Sequence, residues 1–254
     1  MKKRAVSLHS ETFGKGEAPL IMLHGWGQES SHLRYLAEKL SHQCKVHLID
    51  LPGFGKSEAP DGVWSSFDYA QRLIDYLDEE NIEKADFLGH SFGGKVAFSL
   101  AIRHPTRIHR LVLLAPSGLL PRRSLTQGFR LKLIKWSGRI AKAADHLLGT
   151  QIFPSIFISR FGSADYIKAG GLRPILVRSV GEDLSSYLHK IVAPTLILWG
   201  DKDTETPSEM GERMRSLISH SSLLRFPHHG HDLFKDVAAH LCAFHISPFI
   251  RSTL

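Results

Sequence analysis

The chain has 254 residues, 43% of them hydrophobic and 22% charged, the balance of an ordinary globular protein large enough to bury a core without metal or disulfide staples. Its two cysteines, Cys44 and Cys242, are far apart and lack metal-ligand spacing, as expected of two buried thiols in a reducing compartment. The net charge of +7 is local: residues 118–190 hold 12 Lys/Arg against 4 Asp/Glu, so the rest of the chain sums to −1.

The start, Met1-Lys2-Lys3-Arg4, is basic but is followed by no apolar stretch and no small-residue cleavage site, so it reads as mature sequence. No apolar run reaches the roughly 18 residues a membrane span needs, and the expected location is the cytoplasm. PLIMLHG reads as a buried strand ending in a glycine turn, and SSHLRYLAEKLSHQ as a helix with Leu33, Leu36, Ala37 and Leu40 on one face. KVHLIDLPG is a second strand and DYAQRLIDYLDEENI a second helix. ADFLGHS, FGGKVAFSLAIRHP and RIHRLVLLAPSG follow as strand, helix and strand.

The rhythm breaks between Gly118 and Lys190, in a basic, helix-patterned stretch, and resumes with TLILWG, PSEMGERMRSLIS, SSLLRF and a closing helix over DLFKDVAAHLCAFHI. Strand–helix alternation with short links, and strands apolar without alternation, predict a mostly parallel central sheet with helices on both faces. The expected organisation is one α/β core, residues 1–117 and 191–254, interrupted by a helical lid at 118–190.

The strongest local signal is Gly89-His90-Ser91-Phe92-Gly93, a G-x-S-x-G pattern between a predicted strand and a predicted helix. Such a serine sits on a sharp turn that exposes its hydroxyl, and the glycines let backbones approach. A serine hydroxyl is a weak nucleophile without a base in reach. The candidates lie beyond later strand ends: Asp201 and Asp203 after TLILWG, and His228, His229 and His231 after SSLLRF. The order Ser, Asp, His suits this strand–turn–helix setting. The Phe92 N–H, at the start of a helix, is a donor suited to a developing oxyanion. A metal reading of His228, His229, His231 and Asp232 is disfavoured because they are bunched in one loop. Gly55-Lys56-Ser57 is not a phosphate loop, since position 50, where the first glycine belongs, is Asp50.

HGWG at 24–27, DLPGFGKS at 50–57, GHSFGG at 89–94, WGDKD at 199–203 and GH at 230–231 resemble the α/β-hydrolase superfamily over nearly the whole chain outside 118–190. The resemblance implies an α/β-hydrolase fold, Ser91 as nucleophile, Asp203 as the acid three residues after Gly200, and His231 as the base after Gly230. It also implies an oxyanion hole from the N–H groups of Trp26 and Phe92, supported by His24, Gly25, Gly89, His90 and Gly93, with no cofactor and no metal. His24 is expected to bond structurally rather than act as a base.

A serine at this position excludes the related dehalogenases and epoxide hydrolases, which use aspartate there. What is implied is a carboxylic ester or thioester hydrolase acting through an acyl-serine on a small acyl substrate. The alternatives are a hydrolase of carbon–carbon bonds in diketones and a binding protein on this scaffold. Arg122, Arg123, Arg130, Lys132, Lys135, Arg139 and Lys142, with no acidic residue from 118 to 144, form either a solvated helix face or a docking surface for an acidic acyl carrier protein or anionic surface. Nucleic acid is not expected, because no binding module is present. LHGWG…LIDLPGFGKS is also similar to the pimeloyl-carrier-protein methyl ester esterases.

Overall fold

Seven strands, β1 (Ser10–Phe13), β2 (Pro19–Leu23), β3 (Lys45–Ile49), β4 (Ala85–His90), β5 (Ile108–Leu114), β6 (Thr195–Gly200) and β7 (Ser221–Phe226), form one sheet in the order β1-β3-β2-β4-β5-β6-β7. The computed structural model describes residues 6–121, 136–137, 139–140, 143–148 and 163–251. All pairings are parallel except β1 with β3, which is antiparallel.

Helices cover both faces. Leu20, Met22, Val46, Leu48, Val112, Leu114, Leu196 and Leu198 form one apolar cluster with Leu36 and Ala37 of α1 (Arg34–Leu40) and with Ala239, Cys242 and Ile246 of the last helix. The alternate strand residues, among them Ile21, Leu23, Phe87, Leu113, Ile197 and Trp199, are also fully buried and point the other way. On that side α2 (Ser66–Glu79) packs on α3 (Phe92–Arg103), and α3 on β4 and β5. Burial on both faces is why β2, β4, β5 and β6 read as unbroken apolar runs.

β1 was not anticipated. Its four residues, SETF, lie at the sheet edge with no fully buried position, so they carry no apolar signal. The closing helix runs over Asp236–Arg251 rather than from Asp232, and it continues through Pro248. That proline removes one backbone donor three residues before the helix ends, where the loss does not stop the helix.

The chain divides into two compact units, Met1–Leu119 with Arg178–Leu254, and Leu120–Val177. Within the second unit α4 (Ala164–Lys168) is capped by the Ser163 hydroxyl, which accepts from the Tyr166 N–H, and Arg173 stacks 4.8 Å over the Tyr166 ring. Of the basic residues singled out between 122 and 142, Arg139 is exposed; Arg122, Arg123, Arg130, Lys132, Lys135 and Lys142 lie outside the described residues. Among the described residues no helix is long and apolar enough to cross a membrane.

Strand order reverses at β2. The chain moves from β2 outward to β3, then returns to place β4 on the other side, which makes a crevice at the carboxyl ends of β2 and β4. Ligands bind at such reversals in open parallel sheets, because the two following loops diverge there. Leu23 pairs with Gly89, so the loop at 24–27 lies level with the turn at 90–93.

One turn past Ser91, Lys95 is 1% exposed. Its ammonium donates to the Ser179 carbonyl and lies 3.0 Å from Glu182. Glu182 in turn accepts from the N–H of Ser66, in the first turn of α2, at 3.2 Å. Ser179 belongs to α5 (Arg173–Gly181), so one ion pair joins α3 to the returning chain and to α2. Burial lowers the Lys95 pKa, and Glu182 opposes the fall. Replacing Lys95 by Met removes the cation from this buried pair, leaving Glu182 the Ser66 N–H and Arg178 at 3.9 Å and the Ser179 carbonyl the Glu182 N–H, and urea unfolding is expected to show a loss of about 3 kcal/mol. Changing Glu182→Leu as well is expected to recover part of it, whereas additive losses would mean the pair is not coupled.

Candidate active site

Ser91 follows β4 and precedes the first residue of α3 with φ 50° and ψ −112°, left-handed backbone that a non-glycine residue rarely adopts. Three hydrogen bonds hold it: its N–H donates to the Leu114 carbonyl at 3.0 Å, and its carbonyl accepts from Lys95 at 3.1 Å and Ser117 at 3.0 Å. The glycines of the motif are spatial necessities. A Cβ on Gly89 would lie 2.5 Å from the Gly93 carbonyl oxygen, one on Gly93 2.3 Å from the Leu23 carbonyl, and one on Gly94 2.7 Å from Pro116. The N–H of Phe92 belongs to the first turn of α3, whose donors have no partner within the helix.

Loop 24–27, after β2, is held by His24. The ring's Nδ1–H donates to the Gly25 carbonyl at 2.8 Å, and its Nε2 accepts from the Leu51 N–H at 3.0 Å. Both nitrogens serve the backbone, and burial lowers the ring's pKa from 6.5 to about 4, so it is neutral. The Gly25 N–H donates to Gln28 at 3.0 Å. Trp26 packs edge-on against Phe54 and Phe92, with centroids 4.9 and 5.3 Å apart. Asp50 organises the next loop, accepting from Ser30 at 2.7 Å and Lys56 at 2.9 Å; Gly55 is required there because a Cβ would meet the Asp50 carboxylate. DLPGFGKS is thus a carboxylate-pinned turn.

The two aspartates after β6 have different surroundings. Asp201 faces outward and pairs with Arg225 at 2.6 Å. The side chain of Asp203 is fully buried. One of its oxygens accepts from the N–H groups of Glu205 at 2.8 Å and Thr206 at 2.9 Å; the other accepts from the Thr206 hydroxyl at 2.8 Å and His231 Nδ1 at 2.7 Å. Burial opposes its charge, but the bonds from His231 and Thr206 outweigh it and hold the carboxyl below the usual range. Sequence reasoning passed over Thr206. Its signal was the three-residue spacing from Asp203, which lets a hydroxyl turn back on the carboxylate.

His231 follows β7. His228 is exposed, and His229 uses its carbonyl to accept from the Lys202 N–H at 2.9 Å. A Cβ on Gly200 would lie 2.3 Å from the His229 and Gly230 carbonyls, so the two loops meet backbone to backbone. Burial works against the His231 imidazolium, yet the hydrogen bond and charge of Asp203, then the charges of Glu205 and Asp232, outweigh it and raise its pKa above 6.5. His90 connects this loop to the sharp strand-to-helix turn, or elbow, at Ser91. Its ring lies 4.7 Å from that of His231, and its Nε2–H donates to the His231 carbonyl at 3.2 Å. Burial, then the neighbouring His231, lowers the His90 pKa to about 3, so it too is neutral. A Cβ on Gly25 would lie 2.9 Å from its Nδ1. Chemically, a buried carboxylate orients an imidazole of raised basicity, next to a strained turn that presents a hydroxyl.

Residues 20–243 match the profile of the Alpha/beta hydrolase family. The chain is similar to a pimeloyl-[acyl-carrier protein] methyl ester esterase of Nitrosomonas europaea, 28% identical over 90% of this chain and 94% of that protein. In fold it is similar to an esterase of Exiguobacterium antarcticum, with a TM-score of 0.75 at 22% identity over 97% and 96% of the two chains. It is also similar in fold to the meta-cleavage product hydrolase of Pseudomonas fluorescens IP01, with a TM-score of 0.70 at 22% identity over 96% and 94%.

The buried neutral rings of His24 and His90 have a measurable consequence. Below pH 6.5 the unfolded chain takes up protons on both, while the folded chain does not until about pH 4 and 3. These two rings are therefore expected to lower stability as pH drops below 6.5, together with a slope approaching about 2.7 kcal/mol per pH unit near pH 5, to which His47, whose burial likewise lowers its pKa to about 4, adds. Urea midpoints measured from pH 7 to 5 check this; a flat profile would mean that the rings are not buried neutral.

Proposed function

Because the chain belongs to the alpha/beta hydrolase family, we propose that it hydrolyses a carboxylic ester or thioester through an acyl-Ser91 intermediate, with His231 as base and Asp203 as its orienting acid. The observation that carries this is the 2.7 Å bond between His231 Nδ1 and the fully buried Asp203, next to the strained turn at Ser91.

His231 Nε2 takes the proton from the Ser91 hydroxyl as Oγ bonds to the acyl carbon. The C–O π electrons move to the carbonyl oxygen, which the N–H groups of Trp26 and Phe92 stabilise. The tetrahedral intermediate collapses, the bond to the leaving group breaks, and His231 gives that group its proton. Water, deprotonated by the same imidazole, then attacks the acyl-serine; the acyl–Oγ bond breaks, His231 returns the proton to Oγ, and the acid is released. Asp203 keeps the proton on Nδ1 and stabilises the imidazolium without accepting the proton.

A narrower reading, a methyl ester on a carrier-bound acyl chain, is supported by two observations. The Nitrosomonas europaea relative is named for that activity, and the segment 118–144 carries seven basic residues and no acidic one. An acidic carrier would be drawn to such a segment. Hydrolysis of a methyl ester on acyl carrier protein, compared with the same ester on a short thiol, tests this: a preference for the carrier that weakens with salt supports it. Equal rates contradict it. Turnover confined to diketones would point to carbon–carbon cleavage instead.

On p-nitrophenyl esters from acetate to decanoate, Ser91→Ala and Asp203→Asn are each expected to lower kcat by about 10⁴-fold or more. The acid limb of kcat/KM is expected above pH 6.5, because His231 is inactive when protonated and its pKa is raised from that value. A rate independent of pH between 5 and 8 would contradict His231 as the base.

A further inference from the structure

Asp203 occupies only one nitrogen of the His231 ring. The other, Nε2, is the nitrogen that must exchange a proton with the serine and the leaving group. It lies 3.4 Å from the carboxylate of Glu205. The Glu205 backbone is fixed, since its N–H donates to Asp203 at 2.8 Å in the turn that also holds Thr206. Its side chain is 68% exposed, whereas that of His231 is 10% exposed. The imidazole therefore has a buried carboxylate on one nitrogen and a solvent-facing one on the other.

We propose that Glu205 is a positioning residue for the base: it binds the protonated Nε2 of His231 and releases it when the ring loses its proton. The proposal rests on His231 being the base for Ser91. The two protonation states differ in sign. A protonated Nε2–H donates to the carboxylate, while a neutral ring turns a lone pair toward it and repels it. The exposed side chain is free to swing into solvent, which clears Nε2 for the Ser91 hydroxyl. During acylation the proton passes from Ser91 Oγ to Nε2 and on to the leaving group. Glu205 takes no proton, and its negative charge stabilises the imidazolium between the two transfers.

The other groups around the ring do not substitute for it. Asp203 and the Thr206 hydroxyl, 3.3 Å away, are at Nδ1. Asp232 pairs with Lys235, and the neutral His90 ring lies tilted against the imidazole, with centroids 4.7 Å apart. Among the described residues Glu205 is the carboxylate paired with Nε2.

The test compares wild type with Glu205→Gln and Glu205→Asp from pH 5 to 9. Three quantities are followed: kcat/KM on p-nitrophenyl acetate, the inactivation rate with a fluorophosphonate, and the His231 imidazole titration by NMR. Removing an exposed charge at this distance is expected to move the His231 titration and the acid limb down together by about half a pH unit, so that Glu205→Gln gains about 3-fold relative to wild type below the limb. The gain should shrink in 0.5 M salt, as screening requires, and Asp should restore part of the shift. An unmoved titration overturns the proposal, as does a moved titration with an unmoved acid limb. A loss equal at every pH would show a structural role only, and also overturns it. The NMR titration needs no turnover, so it separates failure of this proposal from failure of Ser91, which Ser91→Ala reports through lost probe labelling.

Discussion

Everything at this site depends on how closely the backbone folds around Ser91. A non-glycine residue at φ 50° costs on the order of 1–3 kcal/mol and persists only where its surroundings leave no alternative. Here β5 takes the Ser91 N–H, the following helix and Ser117 take its carbonyl, and three glycines admit neighbouring backbone and side chain at distances no Cβ would allow. The strain raises a hydroxyl at the carboxyl end of the sheet, where the first turn of α3 offers unpaired donors. The same close approach repeats where Gly200 meets the His229 and Gly230 carbonyls. The loops after β4, β5, β6 and β7 are thereby held by backbone contact as well as by their side chains.

Histidines divide the work by environment. His24 and His90 are sealed off from water and neutral; His24 spends both ring nitrogens, and His90 its Nε2, on the backbone of the loops they steady. His231 is less buried and flanked by carboxylates, so its basicity rises where theirs falls. One residue type thus supplies both fixed neutral scaffolding and an imidazole of raised basicity, and burial against charge decides which. The Lys95–Glu182 pair does for helices α2, α3 and α5 what these rings do for the loops.

Much of this was legible in the sequence. Unbroken apolar runs announced strands buried on both faces, and the glycines of GHSFGG announced the elbow, because both are demanded by local geometry. β1 was illegible since SETF, at an edge, has no apolar pattern to read. Asp201 and Asp203 could be told apart only by resemblance; the structure separates them by burial, one paired with exposed Arg225 and the other sealed beneath His231. Glu205, Lys95 and Glu182 gave no signal because their partners lie far along the chain or depend on a turn whose shape the sequence alone does not fix. Ser66 and Glu182, for instance, meet across more than a hundred residues.

The central claim is that the hydroxyl at this strained turn becomes covalently acylated. Trapping the protein with a fluorophosphonate and mapping the adduct by peptide mass spectrometry tests it most directly. The account predicts one adduct per chain, on the peptide containing Ser91 and absent after denaturation in acid before the reagent is added. An adduct on another residue, or ester turnover that persists with Ser91 unmodified, would contradict it.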